Sequence, residues 1–123
     1  MPMVPGPKPI VTSLHHPVPE KDRPLSEQFR IIAKKWVEAE AAASILEETK
    51  SAFLSQRMLA LGEMPVSKAE MQVKASSDWS EHLDAMVVAR KDANLLKVHL
   101  EYIRMRFQEQ QSAEATARKE RGL

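Results

Sequence analysis

Apolar residues recur at alternating spacings of three and four along two long stretches, one on each side of the segment Gly62-Glu63-Met64-Pro65. The first run is Phe29, Ile32, Trp36, Ala39, Ala43, Leu46 and Phe53, interrupted only at Lys50. The second is Trp79, His82, Met86, Ala89, Ala93, Leu96, Leu100, Ile103 and Phe107. A seam of this period is the signature of helices that pack lengthwise. With one break between the runs, the pattern predicts an all-α chain: a long antiparallel helical hairpin, coiled-coil-like, with a short capping helix after the turn.

Punctuation residues set the expected boundaries. Ser26, after Pro24-Leu25 and before Glu27, is an expected N-cap, and nothing breaks the helix before Leu61, giving helix one about 26–61. Gly62 supplies a left-handed stop and Pro65 delays a restart. Ser67-Lys68-Ala69-Glu70 reads as a capping box, with Val66 and Met71 as its hydrophobic staple, opening a short helix at about 68–76. Asp78 followed by Glu81 then caps a long helix at about 78–118. Pairing the runs head to tail sets Phe53 against Trp79, Ala43 against Ala89, Ile32 against Leu100 and Phe29 against Ile103. Small residues meet in the middle and large ones at the ends, and Lys50 falls beside His82 as the one polar layer.

Residues 1–24 hold seven of the 8 prolines, each set against helix, so an extended, proline-rich N-terminal tail is expected ahead of a hairpin domain at 25–123. Two helices cannot bury every apolar side chain, and a second apolar stripe, with Val88 and Val98 among its members, is left partly uncovered. Ile45, Leu54, Met58, Leu83, Val87 and Leu95 lie off the seam and are the candidate protein interface. The short helix, the tail or a second copy could cover them, and a homo-oligomer, with a dimer favoured, is the expectation for so thin a core.

Charge narrows the classes of partner. The 18 Lys and Arg nearly balance 17 Asp and Glu, so any basic site must be local. Arg30, Lys34 and Lys35 on helix one, with Lys97, Arg104 and Arg106 on the last helix, form the candidate contact for single-stranded nucleic acid, with Trp36, Tyr102 and Phe107 nearby for stacking. The absence of cysteine removes thiol catalysis and thiolate metal sites and suits a reducing compartment. No apolar run is long enough to span a bilayer, so cytoplasm is the expected location, without a membrane partner.

No chemistry is specified. His82 and His99 lack histidine partners at i+3 or i+4, and His15-His16 lies in the tail, so no metal site is expected. Glu38, Glu40, Glu47, Glu48, Asp84 and Asp92 read as a solvated face rather than a catalytic pair. No phosphate loop or nucleophile elbow is present, so neither catalytic residues, nor a cofactor, nor enzyme activity is expected.

The stretches Asp78-Trp79-Ser80-Glu81-His82-Leu83-Asp84-Ala85-Met86, Ala89-Arg90-Lys91-Asp92-Ala93-Asn94, Arg104-Met105-Arg106-Phe107 and Ser112-Ala113-Glu114-Ala115-Thr116 resemble small helical proteins of bacteriophages and prophages. The resemblance covers about residues 65–121. It implies an early gene module near recombination and single-strand-binding functions, in a bacterial host cell, and it carries over no functional residues. The expected role is therefore that of an accessory protein acting by protein-protein contact, as adaptor or inhibitor. The alternative is an accessory factor binding single-stranded nucleic acid in recombination or replication.

Overall fold

A computed structural model describes residues 19–122, and the expected tail up to residue 18 lies outside them. Every regular element among the described residues is a helix, and none is a strand. A short 3-10 turn, Glu20–Asp22, leads into four α-helices: α1 (Leu25–Glu48), α2 (Lys50–Ala60), α3 (Val66–Lys74) and α4 (Ser77–Arg121). The last part of the expected tail is thus ordered. Buried Gln28 holds it by donating from Nε2 to the Arg23 carbonyl at 2.7 Å.

The main packing is α1 against α4. Contacts taken along α1 and α2 meet α4 in descending order: Phe29 lies under Arg104, Ile32 in one cluster with Leu100 and Ile103, Glu47 at Arg90, Phe53 on His82 and Arg57 at Asp78. The core is thin. Eight apolar residues are buried among those described, three of them alanines, and Ala43 and Ala93 are completely enclosed. Alanines at the centre let the helix backbones approach closely, while Ile32, Leu100 and Ile103, ringed by Leu25, Phe29, Trp36 and Leu96, fill one end.

Helix one carries a one-residue interruption. Thr49 interrupts it, with φ −90° and ψ 1°. Its backbone N–H and its Oγ1 both donate to the Ile45 carbonyl, at 3.0 and 2.7 Å. A hydroxyl that returns to the carbonyl four residues back competes with the helix ladder and bends it, which the unbroken apolar spacing does not reveal. The ladder resumes at once, since the Phe53 N–H donates to the Thr49 carbonyl at 2.9 Å.

The other boundaries also shift. Pro24, not Ser26, precedes α1, and its carbonyl accepts from the amides of Glu27 and Gln28. Pro65 opens α3 two residues ahead of the expected start, and no side chain caps it. The capping box of Ser67 and Glu70 does not form, because proline at the entry already sets the first turn; Glu70 pairs with Lys74 at 2.7 Å instead. Val66 and Met71 are both exposed, so the staple is absent too. α4 begins at Ser77 because Ser76, rather than Asp78, is the cap. Its Oγ accepts from the Trp79 amide at 3.3 Å and donates to the Val73 carbonyl, joining the end of α3 to the start of α4 with one hydroxyl. Asp78 serves a different purpose, pairing with Arg57 at 3.3 Å. Gly62 takes φ +86°, the left-handed conformation expected of the stop.

Near the turn, the expected Lys50–His82 layer is replaced by an aromatic stack. The His82 ring lies 4.5 Å from that of Phe53 at 13°, Trp79 packs 6.2 Å from Phe53, and Lys50 Nζ sits 5.8 Å from the Trp79 centroid. A lysine gains more over an indole face than beside an imidazole. His82 Nε2 is buried without a hydrogen-bond partner. An unsatisfied nitrogen costs about 1–3 kcal/mol, whereas phenylalanine would keep the ring contact. His82→Phe is therefore expected to stabilise the fold by about 1 kcal/mol, read as a higher urea midpoint at unchanged slope.

Candidate functional site

Concave chemistry is sparse. A groove of about 270 Å³ at the end away from the turn is lined by Leu25, Ser26, Phe29, Ile103, Arg104 and Phe107, mostly apolar and widely open. Among the described residues no three His, Asp or Glu side chains gather as a metal site requires. No helix there is long and apolar enough to cross a membrane.

The proposed nucleic-acid residues do not assemble on one face. At about 100° per residue, Arg30 and Lys34 point away from the seam, Lys97 and Arg104 share one flank of α4 with Arg90, and Arg106 lies on the other flank, as does Lys35 on α1. Arg30 is also engaged by Glu27, with Nη2 to Oε1 at 2.6 Å. That bond lowers the Glu27 carboxyl below its usual range and raises the Arg30 guanidinium. Arg104 and Arg106 lie over Phe29 and Tyr102, each 6.0 Å from the ring centroid. Trp36 is partly buried and packs against the buried cluster.

Two carboxylates of the expected solvated face do structural work. Arg90 donates from Nε and Nη2 to both oxygens of Glu47, at 2.9 and 2.7 Å, and from Nη1 to Glu40 Oε2 at 2.6 Å. This fork ties α4 to α1 on one flank of the seam. The hydrogen bond from Arg90 holds the Glu47 carboxyl below the ordinary range, and both carboxylates raise the Arg90 guanidinium. With the folded value depressed, the stabilisation is present above the ordinary carboxylate range and is lost as pH falls through it, from about 5 downward. The thermal midpoint is expected to drop over that window, and Arg90→Ala to remove part of the drop when the two proteins are melted at pH 7 and pH 3.

The apolar candidates divide into covered and open. Leu54, Met58 and Leu83 are half-buried at the end where α3 packs through Ala69 and Val73. There α3 packs against both α2 and α4. Ile45, Val87 and Leu95 remain exposed. Leu95 belongs to a larger feature, of which the sequence places Val88, Leu95 and Val98 off the seam. Val88, Lys91, Leu95, Val98, Tyr102 and Met105 repeat at three and four along α4, one or two residues before the seam positions. This second stripe runs along the far side of the helix, and its five apolar members are 56% to 61% exposed.

Comparison with models of protein families, with curated proteins and with solved structures finds no match to this chain. The far stripe of α4, with Val87 at its edge, is thus the candidate site on physical grounds alone, while Ile45 lies apart from it on the outer face of α1.

Proposed function

We propose that the chain is a non-enzymatic accessory protein of phage type that works by protein-protein contact, as an adaptor or inhibitor, built on an antiparallel coiled-coil-like hairpin that associates with itself. The observation that carries this reading is the exposed apolar stripe of α4. Solvated helix faces are normally polar, and apolar side chains at a repeating interval mark a surface that another helix covers. The near balance of 18 positive against 17 negative side chains favours a protein partner over a polyanion. The phage setting, in a bacterial cytoplasm, rests on the sequence resemblance of residues 65–121.

A titration of fluorescein-labelled single-stranded DNA, followed by anisotropy at low and physiological salt, separates this reading from nucleic-acid binding. Little binding is expected at physiological salt, and self-association should persist there because apolar burial is insensitive to screening. Tight binding that falls steeply with salt and disappears in Arg104→Ala/Arg106→Ala would overturn the protein-contact reading.

A further inference from the structure

We infer that the far face of α4 is the surface on which two copies of this chain pair, and that the two α4 helices cross it antiparallel. This rests on the self-association proposed above and names its surface and geometry. The stripe from Val88 to Met105 has the period of a coiled-coil seam, yet nothing among the described residues covers it. The stripe is about 26 Å long at the helical rise, long enough for five interlocking layers and more.

Charge chooses both the occupant and the direction. In an antiparallel pair with its two-fold axis between Leu96 and Lys97, Val88 faces Met105 of the second copy and Leu95 faces Val98. Lys91, the one charged member, then faces Tyr102 of the second copy, a ring it can lie across. A parallel, in-register pair would instead set Lys91 against its own copy inside the seam, which repels. Along one edge of the stripe stand Asp92, His99 and Arg106. Antiparallel pairing brings Asp92 to Arg106 of the second copy, twice by symmetry. The offset between them matches the one across which Arg90 already grips Glu47 within the chain. The parallel arrangement leaves Asp92 beside Val87. Thus the helix is complementary to itself in one direction, and its own stripe is the partner that fits.

Sedimentation equilibrium of the full chain and its variants tests this, with circular dichroism as the check on folding. Every substituted residue is exposed in the single chain, so helicity should hold. The expected result is a reversible dimer that Leu95→Glu weakens at least about thirtyfold. Asp92→Arg alone should weaken it about fivefold, and Asp92→Arg/Arg106→Asp together should restore it. A dimer that ignores Leu95→Glu would overturn this surface while leaving self-association in place. A monomer at all concentrations would overturn both. Weakening by Leu95→Glu with no effect of Asp92→Arg, or with no rescue in the doubly swapped chain, would overturn the antiparallel direction.

Discussion

Ile103→Ala is expected to lower the thermal midpoint by about 10–20 °C, the largest loss from any single truncation in this chain. Ile103 is only 2% exposed and lies in a buried apolar cluster, with Ile32 and Leu100 and the half-buried Leu25, Phe29, Trp36 and Leu96 around it. Truncation removes its buried carbons and leaves a cavity that two stiff helices cannot close by sliding, so about 3 kcal/mol is lost. Few other large buried side chains exist to compensate. The control is Val37→Ala: Val37 is an exposed aliphatic residue on α1, and its truncation should move the midpoint little. Equal losses at 37 and 103 in thermal melts would show that the packing at this end is not what holds α1 to α4.

Ala43→Leu should also destabilise, by about 2 kcal/mol, for the opposite reason. Ala43 has no exposed surface, and it sits between Glu40 and Glu47 on the stretch of α1 that Arg90 grips. A leucine there has nowhere to go except into α4. Pushing the backbones apart lengthens all three hydrogen bonds of Arg90, so the steric cost and the loss of the fork arrive together. Ala42→Leu places the same side chain one residue away, at an exposed position, where it should be neutral or slightly favourable because leucine is a strong helix former. Urea unfolding of the two variants side by side distinguishes crowding at position 43 from any general effect of a larger residue in α1.

These two sites also mark what could be read without coordinates. Ile32, Ala43, Trp79, Ala93, Leu100 and Ile103 are all seam positions of the two heptad runs, and all are buried. Period alone placed them, since a residue three or four steps along a helix returns to the same face. Helix ends were less legible. At Ser26, Ser67 and Asp78 a good capping side chain was available, yet Pro24, Pro65 and Ser76 hold those places. Several residues within one turn can each start a helix, and the choice among them belongs to tertiary packing. The interruption at Thr49 coincides with a side-chain bond to its own helix and leaves no mark on the apolar pattern. The basic candidates do not share one face because residues close in number on a helix point in different directions: Arg30, Lys34 and Lys35 span an outer face and a flank. The second stripe was legible in part: Val88, Leu95 and Val98 stand off the seam in the sequence, and the structure adds Tyr102 and Met105 and the exposure of the whole row.

α4 runs for 45 residues without interruption, about 68 Å at the helical rise, whereas a compact ball of 123 residues is only about 35 Å across. Such a rod experiences more friction in water than a sphere of the same mass. It diffuses slowly and leaves a gel-filtration column early, as a heavier globular protein would. A single chain can therefore imitate a pair by its elution position, so the number of chains in the particle has to be weighed by a method blind to shape.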